Sequence, residues 1–131
     1  MDFKLELIPV PVADIDRAKA FYVEQVGFRL DHDVRPSDTV RVVQLTPPGS
    51  GCSIVLGAGL AGLAMPAGSL RGLHLVVAGI AQARAELAGR GVPMGAIQDM
   101  GGIKYAAFSD PDGNTWTLQE MPGGSSAGAK S

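Results

Sequence analysis

The chain carries few residues that could do chemistry, and their types and spacing restrict what that chemistry could be. His74 lies in the run Gly72-Leu73-His74-Leu75-Val76-Val77. Strand alternation puts Leu73, Leu75 and Val77 on one face and Gly72, His74 and Val76 on the other. A lone imidazole titrates near neutral pH, so it can orient a ligand, transfer a proton or complete a metal site. The plainer reading is a histidine of a pocket wall or interface that makes a structural hydrogen bond. The second group is Thr115, Thr117 and Gln119, which alternate with Trp116 and Leu118. Neither threonine nor glutamine titrates, so these supply hydrogen bonds to a ligand rather than catalysis. His32 stands between Asp31 and Asp33. Neighbours on a strand point to opposite faces, which reads as a solvated or edge-strand residue. Cys52 has no Lys, Arg or His beside it to lower its pKa and reads as structural. Gly101-Gly102 has neither the following helix nor the lysine of a phosphate loop.

The elements that must position these groups follow from periodicity. Residues 4–12 read as a strand, irregular or at an edge because Pro9 and Pro11 donate no backbone hydrogen bond. Asp14 is placed to cap a helix carrying Ile15, Ala18, Phe21, Tyr22 and Val26, with Gly27 at its C-terminal end. Phe21 and Tyr22 read as packing residues, with the Tyr22 hydroxyl able to reach a pocket. Strands are expected at 28–34, 40–46 and 53–56, with turns at Pro36-Ser37-Asp38 and 47–51. The Gly/Ala-rich stretch 57–69 reads as a connector tethered by Leu60, Leu63 and Met65, or as a flap over a pocket or part of a dimer contact. A second helix is expected from Ile80 to Ala88, closed by Gly91. A strand at 92–98 would be kept at an edge by Pro93. Asp110-Pro111-Asp112-Gly113-Asn114 is a cluster of turn formers joining two strands, the second carrying Trp116 in the core.

Composition removes several classes of function. The 131 residues suit one domain, with 46% apolar and 18% charged residues and a net charge of −2. The basic residues are scattered, so no nucleic-acid partner is expected. Residues 42–70 carry no charge, but three prolines and six glycines interrupt them, so no membrane span is expected. Asp2, Lys4 and Glu6 break up the N-terminus, so no signal peptide is expected. A single cysteine excludes an internal disulfide and fits a cytoplasmic protein.

The chain also repeats itself. Val12-Ala13-Asp14-Ile15 with Ala18 and Ala20 matches Val77-Ala78-Gly79-Ile80 with Ala83 and Ala85, 65 residues later. Each half reads strand, helix, three strands. Leu7 and Pro9 then share a concave face with Gly72, His74, Val76, Thr115, Thr117 and Gln119, while Ile8, Val10, Trp116 and Leu118 lie on the helix side.

The segments PVPVADIDRAKAFYVEQVGFRL, GLHLVVAGIAQARAELAGRGV and FSDPDGNTWTLQE resemble, in order and spacing, the vicinal oxygen chelate superfamily of glyoxalases, bleomycin-resistance-type binding proteins and extradiol dioxygenases. The resemblance covers about residues 4 to 120. It implies an α+β fold in which two βαβββ modules form a curved, half-open mixed β barrel around one pocket, with helices outside. It also implies one domain over 1–120, with module one at about 3–57, a connector at 58–70 and module two at about 71–120, followed by a flexible tail at 121–131. Catalytic members bind a divalent metal at positions occupied here by Leu7, Val55, Gly72 and Thr117, so no metal or other cofactor is expected. The expected ligand-binding residues are Leu7, Pro9, Ser53 and Val55 in the first module and His74, Val76, Thr115, Thr117 and Gln119 in the second. The leading expectation is a metal-free binder of natural-product or drug-like small molecules, its pocket shaped by loops 57–70 and 98–104, acting as a homodimer. The alternatives are a lyase, isomerase or cyclase using His74, a metal-dependent glyoxalase or dioxygenase, or a module retained mainly for dimerisation.

Overall fold

A computed structural model describes residues 1–59 and 65–124. The described chain runs β1 (Leu7–Pro9), α1 (Ile15–Ala20) continuing as a π-helical segment (Phe21–Val26), β2 (Arg29–Ser37), β3 (Val40–Thr46), β4 (Ser53–Ala58), β5 (Leu73–Val76), α2 (Ile80–Gly89), β6 (Gln98–Met100), β7 (Ile103–Ser109) and β8 (Thr115–Glu120). The repeat is therefore a βαβββ module built twice. Each module makes one four-stranded mixed sheet, ordered β1-β4-β3-β2 and β5-β8-β7-β6. In both, the first strand pairs in parallel with the last and the remaining pairs are antiparallel. Two units result: Met1–Leu70 with Asp110–Asn114, and Arg71–Ser109 with Thr115–Ser131.

The first unit buries its helix side. Val10, Ala18, Phe21, Tyr22, Val43, Leu45, Ile54 and Leu56 form its core, and these are the odd or even partners that alternation assigns to one sheet face. Asp14 caps α1 as expected, accepting from the Arg17 amide at 3.1 Å. The helix then widens. The amides of Gly27 and Phe28 both donate to the Tyr22 carbonyl, at 2.9 and 2.8 Å, and Gly27 takes φ of 95° to end it. Only a residue without Cβ enters that conformation freely.

Asp110-Pro111-Asp112-Gly113-Asn114 packs as part of this unit. Asp110 Oδ1 accepts from the amides of Asp112 and Asn114, both at 2.9 Å. Its Oδ2 accepts from Tyr22 Oη at 2.7 Å and Asn114 Nδ2 at 2.8 Å. Asn114, fully buried, also donates to the Pro11 carbonyl and accepts from the Leu70 amide. Asp112 Oδ1 accepts from the Ala13 amide and from Arg17. The Tyr22 hydroxyl is thus committed to Asp110 rather than to a ligand, which corrects one sequence expectation.

Charges fasten α1 to the sheet. Arg41 grips Asp33 through two hydrogen bonds of 3.1 and 2.9 Å, and Lys19 reaches Asp33 at 2.7 Å. Arg41 also pairs with Asp16 at 2.8 Å. Hydrogen bonds from Arg41 and then Lys19 hold the Asp33 carboxyl far below its ordinary pKa of 3.8. A depressed carboxyl stabilises the fold fully above its unfolded pKa and loses that contribution as pH falls toward the folded value. Melting temperature measured against pH is therefore expected to drop below about pH 4, and Asp33→Asn should flatten that part of the profile. An unchanged profile would remove this cluster from the acid response.

In the second unit Ile80, Leu87, Val92, Ala106, Phe108, Trp116 and Leu118 are buried. Phe108 and Trp116 stack with ring centres 6.2 Å apart. Helix α2 starts at Gly79, which offers no side-chain cap. Glu120 of β8 replaces it, accepting from the Ile80 amide at 2.8 Å. The repeat has kept the helix and changed what caps it.

Four expectations need correction. Residues 92–97 are not a strand. Pro93 lacks an amide hydrogen, and only a bridge between Met94 and Phe108 and the Gly95 amide on the Ala107 carbonyl remain. Residues 98–104 are not a loop but β6, a Gly101-Gly102 turn and the start of β7. β2 runs through Pro36 to Ser37, which Pro36 tolerates on an edge strand, and the turn moves to Asp38-Thr39. β1 is three residues, not nine. Leu60 and Leu63 of the connector and residues 125–131 of the tail lie outside the described residues.

Candidate functional site

The nine expected site residues fall into two groups, one on each sheet. On the second sheet the register sets His74 beside Thr117 and Val76 beside Gln119. On the other side of β8, Thr117 faces Ala107 and Gln119 faces Tyr105, and Tyr105 in turn faces Gln98. This face opens onto a cavity of about 360 Å³ lined by His74, Gly95, Ala96, Gln98, Met100, Tyr105, Ala107 and Thr117. Segment 94–96 forms its wall because Arg84 holds the Gly95 carbonyl at 2.6 Å while the Gly95 amide binds Ala107. A side chain at Gly95 would press on the Ala107 carbonyl at 3.3 Å. Thr115 does not line the cavity; its hydroxyl accepts from the Gly72 amide at 2.7 Å. Val76 is 37% exposed on the same strand face as His74.

His74 is held in a defined state. Gln119 Nε2 donates to the Met121 sulfur at 3.0 Å, which turns its Oε1 toward His74. The 2.7 Å contact between His74 Nδ1 and Gln119 Oε1 is then a donation from the ring. In the neutral ring Nδ1 then carries the proton and Nε2 is the acceptor. The Tyr105 ring stands edge-on to the imidazole with centres 5.9 Å apart. The site therefore offers a ligand one oriented imidazole, a phenol, a threonine hydroxyl and an amide among apolar walls.

On the first sheet Leu7 pairs with Ser53 and Pro9 with Val55. Leu7 is exposed, Val55 and Ser53 buried. Ser53 belongs to a polar cleft of about 510 Å³ that the sequence reading missed, lined by Arg29, Leu30, Asp31, His32, Gln44, Thr46, Ser50, Gly51 and Ser53. Two signals were available. Val42, Gln44 and Thr46 alternate on one face of VRVVQLT, and that face is Ser53's. The other signal was hidden. The β2–β3 register slips between Leu30 and His32, leaving Asp31 as the extra residue. A bulge breaks alternation and re-aims a side chain, so Asp31 and His32 both line the cleft although they are adjacent. Asp31 Oδ2 accepts from Thr46 Oγ1, and Thr46 Oγ1 lies 2.6 Å from Ser53 Oγ. The bond from Thr46, more than that from Arg29, lowers the Asp31 pKa.

Cys52 is half-buried, and burial followed by the charge of Glu6 raises its thiol pKa, so it is a poor nucleophile. Among the described residues no group of three or more His, Cys, Asp or Glu is placed to hold a metal ion. Leu7, Val55 and Gly72 have no donor atom in their side chains and Thr117 has only a hydroxyl, so the residues at the expected metal positions do not fit a divalent cation. No described helix is long and apolar enough to cross a membrane.

The fold has counterparts among known proteins. An antibiotic binding protein, TnmS3 from Streptomyces sp. CB03234, is 40% identical, with 92% of this chain and 97% of that chain covered and a TM-score of 0.80. A glyoxalase/bleomycin resistance protein from the same organism is also 40% identical, with 89% and 100% covered and a TM-score of 0.77. A superfamily member from Sphaerobacter thermophilus DSM 20745 is 29% identical over 92% and 98%, with a TM-score of 0.80. No curated protein matches the sequence. The family model for the Glyoxalase/Bleomycin resistance protein/Dioxygenase superfamily matches residues 4–118. With the twice-built βαβββ module, that match over most of its length establishes that the chain belongs to the glyoxalase/bleomycin resistance protein/dioxygenase superfamily.

Proposed function

We propose that this protein binds a natural-product or drug-like small molecule without a metal. The observation that carries the reading is the cavity beside His74, whose walls are mostly apolar with a few oriented polar groups, the usual make-up of a site for an organic ligand. The likeness to an antibiotic binding protein supports it. His74 and Thr117, which line the cavity, and Val76 and Gln119 beside them on the same sheet face are the residues we assign to the ligand. Thr115 positions Gly72 at the head of β5. The exposed edges β1 and β5, and the exposed Phe3, Leu5 and Leu7, support a homodimer. The single unpaired cysteine supports a cytoplasmic location.

The test is a thermal-shift and calorimetric screen against polycyclic natural-product antibiotics. A ligand at a hundred times its Kd should add about 2.7 kcal/mol of stability, and His74→Ala should weaken it about tenfold. A panel with no binder would overturn the reading, as would stoichiometric Ni, Zn, Fe or Mn in protein purified without chelator. Isomerisation of the methylglyoxal–glutathione hemithioacetal above background would overturn it too.

One observation favours a second reading, a lyase, isomerase or cyclase. Gln119 engages His74 Nδ1, which leaves Nε2 as the ring nitrogen that a general base would use in the neutral imidazole. Turnover of a bound ligand that disappears in His74→Ala while binding persists would establish this reading in place of the first.

A further inference from the structure

We propose that the cleft at the β2 bulge of the first unit is a subsite for a neutral polyhydroxylated group, such as a sugar, with Asp31 setting the hydrogen-bond direction. The proposal rests on the reading of the protein as a small-molecule binder. An ionised carboxylate only accepts, so Thr46 Oγ1–H must point to Asp31 Oδ2. Thr46 has one proton, so in its contact with Ser53 it is the acceptor and Ser53 Oγ–H the donor. Ser53 is left with lone pairs and no proton to offer. Both hydroxyl groups belong to buried residues, so water cannot freely reverse the order. At this point the cleft accepts an O–H or N–H and rejects a carbonyl, carboxylate or phosphate oxygen.

The surroundings choose between those donors. Asp31 and Arg29 pair at 3.1 Å, so the acidic charge is already matched and does not call for an ammonium. Gln44 and His32 can each donate and accept, whereas the Ser50 hydroxyl donates to the Cys52 carbonyl and accepts from the Cys52 amide. A hydroxyl group, which donates and accepts at once, satisfies such a lining; an ammonium, which only donates, does not. Arg29 pairs with Thr46, so alternation already puts Asp31 on the Thr46 face, and the bulge adds His32 to it by setting that residue opposite Gln44.

The experiment follows backbone amides by two-dimensional NMR while the full chain is titrated with methyl β-glucopyranoside, and separately with methylammonium chloride. The glucoside should shift the amides of Asp31, Gln44, Thr46 and Ser53, and methylammonium should not. Thr46→Val removes the relay with little change of volume and should weaken the glucoside about tenfold or more, whereas Thr46→Ser should restore it. Absence of glucoside shifts in the cleft, equal shifts with methylammonium, or wild-type affinity in Thr46→Val would overturn the proposal. Binding of polycyclic ligands beside His74 is measured on the same samples. Its loss would sink the proposed function and leave this subsite standing, and the reverse result would do the opposite.

Discussion

Asp110→Ala is expected to cost about 3–5 kcal/mol of stability, the largest loss from any single truncation in the turn. The carboxyl accepts four hydrogen bonds, from two backbone amides, the Tyr22 hydroxyl and the Asn114 amide. Removing it leaves Tyr22 Oη and the backbone of the turn without acceptors in a region sealed from water, because Tyr22 and Asn114 are fully buried. Each orphaned buried group costs about 1–3 kcal/mol. The melting temperature should fall by about 10–15 °C. Tyr22→Phe, which removes one donor while Asn114 Nδ2 still donates to the same oxygen, should cost only about 1 kcal/mol. Chemical denaturation of the two variants checks both figures. A loss below about 1 kcal/mol for Asp110→Ala would mean that water replaces the carboxyl and that the turn is less closed than its burial indicates.

Thr117→Trp should abolish ligand binding while leaving the fold intact. Thr117 stands between His74 on β5 and Ala107 on β7, in the middle of the cavity floor. It is half-buried on the open face of β8, opposite to the face of Trp116 and Leu118 that forms the core. An indole there occupies the cavity beside the imidazole and suits a strand, so stability should change by less than about 1 kcal/mol. Affinity for a ligand seated beside His74 should fall about a hundredfold or more, equivalent to about 2.7 kcal/mol. Calorimetry with the tightest ligand of the natural-product screen measures it. Full affinity in a folded Thr117→Trp protein would place the ligand elsewhere and withdraw the cavity from the proposed function.

The two experiments separate the structural from the functional part of one short stretch. Residues 106–120 carry both the turn that completes the first unit and the strand that floors the cavity of the second. Asp110 and Asn114 serve the fold, and their side chains are spent on backbone and on Tyr22. Thr117 and Gln119 serve the site. Gln119 acts through His74, fixing its tautomer, so its substitution would alter what the imidazole offers a ligand rather than remove a contact.

The sequence by itself determined the repeat, the module, the caps at Asp14 and Gly27 and the alternation of β3, β5 and β8. These rest on local periods and turn chemistry, which each segment carries within itself. It also determined that Leu7, Val55 and Gly72 offer a metal no side-chain donor and Thr117 only a hydroxyl, because side-chain chemistry is the same in any fold. Only the tertiary structure decided where alternation fails and which partner a polar group finds. The bulge at Asp31 shows the first limit: one extra residue in a strand leaves no mark in composition, yet it brings His32 to the face of Gln44 and Thr46. Glu120 shows the second: it caps a helix that starts forty residues earlier, at a position where the repeat would have placed an aspartate. The Tyr22 hydroxyl, free to reach a pocket as far as the sequence goes, is claimed by Asp110. Long-range hydrogen bonds of this kind depend on distances between segments, and a single chain of letters does not contain them.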